Sequence, residues 1–385
     1  MIEKDLFKEI IKIRRDLHQN PETGFEVERT AGIVADHLRE AGISVKTGIG
    51  KTGVIGDIEV PQATKRIAFR ADMDALPMQE ERDWEYQSLI PGKAHMCGHD
   101  AHTAILIGAA KLIAKQKEKL SVHVRFLFQP NEEQPPGGAS GMIQDGALDG
   151  VDEIYGLHVW PWLPTGQIGI CEGPFLAQSD RFSVKIKGEG SHAAAPHLGS
   201  DPIIAGSYLV SQLQSIVSRN VDPLETAVLT VTQFHAGSAD NVIPGEAILR
   251  GTVRTYSENV QKLIQNRMEK LIQHCGTTFA MDCDFDYQDG YPATVNDVEL
   301  AKSSYEIAKT FLPEDQIVYP GEKAMFGEDF AFYAQKVPGC FVQLGCRNEA
   351  KDCVYPLHHP RFLIDEDCMK VGVRLFCSFA GLIDE

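Results

Sequence analysis

The sequence predicts an α/β protein: a discontinuous larger domain with a central β-sheet flanked by helices, interrupted by an inserted ferredoxin-like βαββαβ domain. Three observations predict it. Short apolar runs alternate with helical patterns toward both ends of the chain, as an α/β domain requires. In the middle the order changes to strand, helix, strand, strand, helix, strand. Glycine- and proline-bearing joints, Gly169 to Pro174 and Gln288 to Pro292, flank that middle segment. The larger domain therefore takes residues 1–178 and 292–385, and the insert 179–291.

Element by element, apolar residues at helical spacing predict a first helix from Lys4 to Leu17. It is ended by Asn20-Pro21-Glu22-Thr23-Gly24. A second helix covers Val27 to Ala41 and is closed by Gly42. β-branched runs with glycine turns follow from Ile43 to Ile58, then a strand at Arg66 to Arg70. The glycine- and alanine-rich segment Ala101 to Lys115 reads as a helix packed closely on a sheet, with strands at Val122 to Phe128 and Ile154 to Leu157. In the insert, strands are expected at Asp180 to Lys187, Thr226 to Phe234, Ala247 to Thr255 and Phe279 to Tyr287. Helices are expected at Asp201 to Asn220 and Glu258 to Cys275. The α/β pattern then returns with helices Glu299 to Phe311 and Asp329 to Tyr333, strand Cys340 to Leu344 and a final helix from Asp365.

Apolar residues make up 43% of the 385 and charged residues 24%, values of a globular chain able to bury a real core. The net charge of −17 repels nucleic acid and anionic membrane, so neither is expected as a partner. The N-terminus alternates charge with apolar residues and has no secretory signal pattern, and no stretch is long enough to span a bilayer. Nine scattered cysteines fit a reducing, cytoplasmic setting, as core thiols or metal ligands. Cys340, Cys346 and Cys353 lie close enough in sequence for a bridge or a structural metal, with core thiols the favoured reading.

Acidic and imidazole groups recur just beyond predicted strands. Asp72 and Asp74 follow Ile67 to Phe69, with alternation placing both carboxylates on one face. Glu132 and Glu133 follow Val122 to Phe128, His158 follows Leu157, and His358-His359 follow the last strand after a loop. The carboxyl ends of strands in open α/β sheets border the ligand crevice. Met96-Cys97-Gly98-His99-Asp100 precedes the glycine-rich helix, and Cys97 and His99, two apart, can face one cation together. By itself that pair better fits a buried thiol beside a helix-capping Asp100; its place among the other clusters reverses that and favours metal. Thiolate with imidazole suits zinc, with nickel or manganese also compatible. One of the two glutamates can bind metal while its neighbour serves as general base on a water that the metal brings to a pKa of roughly 7. A competing reading makes Cys97 a nucleophile paired with His99, but it leaves Glu133, His158 and His358 unexplained. His18 is expected to satisfy local backbone, His123 to face solvent and His102 to stand behind the metal ligands. Trp160 and Trp162 are expected as pocket wall or core.

Taken together, RRDLHQNPETGFE, RADMDALP, MCGHDAHTA, PNEE, LHVWP, GEGSHAAAPH, NVIPGEAILRGTVRT, FGEDFAFY and LHHPRF resemble the N-acyl-amino-acid amidohydrolases of the aminoacylase and carboxypeptidase G superfamily. The likeness runs in order from Arg14 to Phe362. It implies a dinuclear-metal catalytic domain with Cys97 bridging two divalent metal ions (zinc, manganese or nickel). His99, Glu133, His158 and His358 would be the other ligands, Glu132 the base, and Asp74 would orient a ligand or the base. The insert would be a lid and dimerisation domain, making a homodimer or a higher oligomer. His192 or His197 of the lid would meet the reacting carbonyl, with His192 preferred. Asn241, Arg254 and Glu328 would contact the substrate, Arg254 through its carboxylate. The implied reaction is hydrolysis of an N-acetyl-, N-benzoyl- or similar N-acyl-L-amino acid to a carboxylic acid and a free amino acid. The sequence departs from the family's pattern at Gln134-Pro135-Pro136, where glycines are more common, and at His359, where serine is frequent. His358, directly after Leu357, is the expected ligand of that pair.

Overall fold

The structure, a computed structural model, describes residues 3–382. The chain folds into two compact units. The larger takes the chain up to Phe175, Thr294–Lys323 and the chain from Asp329 onward; the smaller takes Leu176–Ala293 and Ala324–Glu328.

The larger unit is a mixed α/β structure built on an eight-stranded sheet. Its order is Ser44–Ile49, Gly53–Ile58, His123–Gln129, Arg66–Asp72, Glu153–Pro164, Gly339–Arg347, Ile168–Gly169, Ile317–Val318. From His123–Gln129 to Gly339–Arg347 neighbouring strands are parallel; the first two strands pair antiparallel. Parallel strands covered on both faces need near-continuous apolar runs. Ile67-Ala68-Phe69 and Phe126-Leu127-Phe128 meet that need, every one of them buried. Helix His99–Lys115 lies against Arg66–Asp72 and against helices Lys4–Gln19 and Cys368–Phe379. It is buried without a break from His99 to Ala110. Close approach requires glycine at 108, where a β-carbon would lie 2.9 Å from Ile10 Cγ2 and 3.1 Å from Val373 Cγ2.

In the smaller unit the main sheet has four antiparallel strands, in the order Ala227–Ala236, Glu246–Thr255, Gln178–Lys187, Asp282–Tyr291. Helices Pro202–Asn220 and Glu258–Phe279 pack on one face. Alternation along the strands decides which face. Phe182, Val184 and Ile186 join Leu209, Leu213, Ile264 and Met268 in one core, while residues 181, 183 and 185 point to the open face. Asp201 and Ser257 cap the two helices through the N–H groups of Ile203 and Val260.

Boundaries shift from the sequence reading at several elements, the last helix for instance beginning at Cys368 rather than Asp365, and three other shifts matter most. The strand expected to end at Leu157 runs on to Pro164, so His158 sits within a strand rather than beyond one. The helix expected from Ala101 begins at His99, because Gly98 adopts φ 94° and turns the chain directly into it. The strand expected from Phe279 starts at Asp282. Helix Glu258–Phe279 there runs past Cys275 and closes on Ala280 in the left-handed region, with Met281 N–H bonded to Gly276 O.

Candidate metal centre

Strand Arg66–Asp72 delivers two buried carboxylates. Asp72 accepts from Arg70 Nη1 and from His102 Nδ1, both at 2.6 Å. Asp74, two residues on, accepts the backbone N–H of Glu132 at 2.9 Å and of Glu133 at 3.2 Å. One carboxylate thus fixes the turn after strand His123–Gln129 and both glutamates with it. Behind the turn, buried Asp329 takes Arg70 Nη2 (2.8 Å), Gln129 Nε2 (2.7 Å) and the N–H groups of Gly138 and Ala139 (2.9 and 3.0 Å).

Around this frame the predicted ligands meet. Ligand atoms of Cys97, His99 and His158 lie within 4.8 Å of one another, as do those of Cys97, Glu133 and His358, and those of His99, Glu132 and Glu133. The first two groups share Cys97. Cys97 Sγ is 3.4 Å from His158 Nε2, and His358 Nε2 is 3.4 Å from Glu133 Oε2. His359 turns away, stacked on Tyr355 with ring centroids 4.6 Å apart, so only His358 of that pair faces the cluster. His358 holds φ 63°, a region costly for a side-chain-bearing residue, and its N–H bonds Met96 O at 2.8 Å beside Cys97.

Hydrogen bonding decides which histidines can bind metal. His158 Nδ1 donates to Val159 O (2.8 Å) and His99 Nδ1 to Asp74 O (2.8 Å), which leaves each Nε2 directed at the cluster. Both nitrogens of His102 are engaged, Nδ1 by Asp72 and Nε2 by Val159 N–H (2.9 Å), so His102 is held behind the ligands. Among the described residues, buried His99 Nε2 and Glu133 Oε1 have no hydrogen-bond partner. Two such orphaned atoms, 3.9 Å apart and each offering a lone pair, fit a cation between them.

Electrostatics agree. Burial lifts the Cys97 thiol well above its ordinary pKa, and the carboxylates of Glu133, Glu132 and Asp72 add to the rise. A nucleophilic cysteine needs the opposite shift, and the nearest imidazole is His158 rather than His99, so the nucleophile reading fails. Burial disfavours charge on His99, yet Asp72, Asp74 and Glu133 outweigh it and push it up to about 10. Burial with His102 nearby holds His158 well below the usual histidine range, leaving it neutral. The pattern is a carboxylate-rich pocket that calls for positive charge.

Two bland histidine expectations are corrected. His18 does not serve local backbone; it is fully buried, with Nδ1 2.8 Å from Asp100 Oδ2, and Arg14 Nε is also 2.8 Å from that oxygen. Asp100 is therefore an ion-pair partner rather than a helix cap. His123 is not solvent-facing: Nδ1 takes Val60 N–H (3.2 Å) and Nε2 donates to Ala63 O (3.0 Å). Trp160 is buried and Trp162 partly exposed, packed edge to face. All nine cysteines are free, including Cys340, Cys346 and Cys353. Gly327-Glu328-Asp329 is expected along the cleft from sequence, whereas Arg70 and Gln129 were missed; an arginine in an apolar strand, too costly to bury unpaired, was the available signal.

The remaining candidates belong to the smaller unit. His192 pairs across a short ladder with Val242, and Ala193 N–H bonds Asn241 O at 3.0 Å, so His192 and Asn241 are neighbours. His197 is exposed in the turn Pro196–Leu198. Arg254 stands on the open face of the sheet, and Gly327, before buried Glu328, runs beside it: a β-carbon there would lie 3.0 Å from Ser179 Cβ and in ordinary contact, 3.6 Å, with Arg254 Nη1.

A family model for peptidase family M20/M25/M40 matches residues 68–381. The chain belongs to that family. Among its M20/M25/M40 relatives, thermostable carboxypeptidase 2 of Saccharolobus solfataricus is 38% identical over 372 residues, 96% of this chain and 94% of the relative. An N-acyl-L-amino acid amidohydrolase of Geobacillus stearothermophilus is 44% identical over 288 residues, 75% of this chain and 78% of the relative. The crystal structure of the YXEP protein of Bacillus subtilis, described as a dinuclear metal binding peptidase from the M20 family, superposes with a TM-score of 0.86 at 34% identity, covering 98% of both chains. The chain is accordingly a dinuclear metal-dependent hydrolase, and the clusters above are groups that could hold its metal ions.

Proposed function

We propose that this chain hydrolyses the amide bond of N-acyl-L-amino acids at a pair of divalent metal ions, releasing a carboxylic acid and the free amino acid. The carrying observation is the two ligand clusters that share Cys97, with Glu132 beside them and anchored through Asp74. Cys97, His99, Glu133, His158 and His358 would hold the ions, which supply Lewis acidity at the amide carbonyl and acidify a water. Zinc suits the thiolate and imidazole donors, with manganese or nickel as alternatives.

Glu132, next to ligand Glu133 and 3.9 Å from His99 through Oε2, takes the proton of the attacking water and delivers it to the departing amine nitrogen. Asp74 keeps Glu132 and Glu133 in register by accepting both their N–H groups. His192 Nδ1 accepts Ala194 N–H at 3.1 Å, so its proton resides on Nε2, free to donate to the oxyanion that forms as the amide is attacked. This favours His192 over His197. Arg254, with Asn241 and Glu328, receives the amino-acid end, its guanidinium paired with the carboxylate.

The smaller unit, a ferredoxin-like insert, acts as lid and as homodimer surface. Its edge strand Ala227–Ala236 and helix Pro202–Asn220 expose Val228, Phe234, Ile203, Ile204 and Tyr208. Nine free thiols suit the cytoplasm.

Glu132→Gln tests the reading on N-acetyl, N-benzoyl and dipeptide substrates. Metal content should stay at two per chain while kcat falls by at least about 100-fold, and a chelator should abolish wild-type activity. Turnover that survives both changes overturns it.

A further inference from the structure

The open face of the smaller unit's sheet carries a cavity of about 800 Å³, within the size range of small-molecule sites. It is lined by three arginines, Arg181, Arg250 and Arg254. The register fixes their relation: Arg181 stands opposite Thr252, so Arg250 and Arg254, two residues to either side, are both its diagonal neighbours. Diagonal positions on one sheet face lie about 7–8 Å apart, and like charges so placed repel. Among the described residues none of the three guanidinium groups has an ion pair or a hydrogen bond. Two of the other charges on this face are ion-paired, and one carboxylate, Asp286, has only a neutral donor. Lys185 pairs with Glu246 at 2.6 Å and Lys187 with Asp284 at 2.7 Å, while Asp286 accepts from Gln288 Nε2 at 2.7 Å. Asp286, diagonal to Arg181, offsets one of the three positive charges, which leaves the hollow net positive in a chain of net charge −17.

We propose that this face binds a small dicarboxylate, with Arg181 and Arg250 taking a second carboxylate beyond the one assigned to Arg254. Planar guanidinium forks suit carboxylates bidentately, and the diagonal spacing suits two acid groups on one short skeleton. Ser183 adds a hydroxyl beside the arginines, while the Thr252 hydroxyl already donates to Asp180 O at 2.7 Å. Asp284 and Asp286 on the next strand oppose a long polyanion laid across the sheet. An N-acyl derivative of an acidic amino acid meets all of these conditions. The same chemistry could be met by the enzyme's own substrate or by a separate dicarboxylate effector.

The test is calorimetric titration of the full-length, metal-free protein, in which no turnover is read; its failure is therefore distinct from failure of the hydrolase reading. N-acetyl-L-glutamate should bind at least about 10-fold tighter than N-acetyl-L-glutamine, and Arg181→Gln with Arg250→Gln should erase the difference. Relief of repulsion should keep the double variant folded, as its melting curve would report; should it unfold, Arg250→Gln alone is titrated and should narrow the difference. Glutarate added to the metal-loaded enzyme then separates the sources. A raised KM for N-acetyl-L-alanine marks the substrate's own seat, and an altered kcat at constant KM marks an effector. Equal affinity for the two N-acetyl compounds, or a preference that persists in the variant, overturns the proposal.

Discussion

Asp74 lies outside the proposed ligand set, yet it accepts two successive backbone N–H groups, those of the proposed base Glu132 and the proposed ligand Glu133. Glu132 and Glu133 diverge only because the turn between them is fixed from outside. Asp74→Ala would leave both N–H groups without their acceptor. Groups that orient ligands from behind are worth about 10–100-fold in metal affinity or activity. A loss of that size is expected in both, read by competition with a metal indicator and by steady-state rates. Wild-type values in both would remove Asp74 from the machinery. The same logic separates His102 from His99 and His158: all three are buried, and only the hydrogen bonds on the second ring nitrogen distinguish ligand from support.

At the scale of elements, Gly98 joins the ligand loop to the buried helix. It combines φ 94° with a β-carbon position 2.4 Å from Val159 Cγ2. Gly42 has φ 74° with open space around it, so Gly42→Ala meets only the left-handed penalty of about 1–2 kcal/mol. Gly98→Ala should lower the melting temperature further than Gly42→Ala and weaken metal binding as Cys97 and His99 shift. Equal effects would mean that Val159 yields. The approach to helix Cys368–Phe379 gives a pH prediction. Burial raises the Asp365 carboxyl, but hydrogen bonds from Lys351 (2.6 Å) and Asn348 (2.6 Å) outweigh it and hold the pKa below the ordinary value. A depressed carboxylate stabilises above its unfolded pKa, about 3.9, and that contribution is lost as pH falls through the folded pKa. Lys351→Met should therefore lower the melting temperature at pH 6, with the gap to wild type closing toward pH 3. A gap constant with pH would reject this origin.

For the whole molecule, association is expected through the smaller unit. Its edge strand leaves backbone groups unpaired beside Tyr208, 60% exposed, and Ile204, 49% exposed on the adjoining helix. Tyr208→Lys with Ile204→Lys should convert a dimer to a monomer by sedimentation analysis without changing the circular dichroism. A dimer that persists would move the interface elsewhere. The chain's strong negative charge makes such a face more telling, since like-charged copies associate only where apolar contact outweighs their repulsion.

Sequence alone determined the α/β pattern with a change of order in the middle, because hydrophobic periodicity is local and survives without coordinates. Through its family resemblance it also pointed to Cys97, His99, Glu133, His158 and His358 as candidate ligands, because thiol, imidazole and carboxylate are the groups that bind such metals. Tertiary structure alone decided how those groups are used. That His358 rather than His359 faces Glu133, that His102 is support, and that His18 pairs with Asp100 all follow from contacts between residues far apart in the chain. Arg70, Gln129 and Asp329 form one buried network across more than 250 positions, which no spacing rule could reveal. Local pattern encodes what a segment is; where its polar atoms find partners is settled only when distant segments close around them.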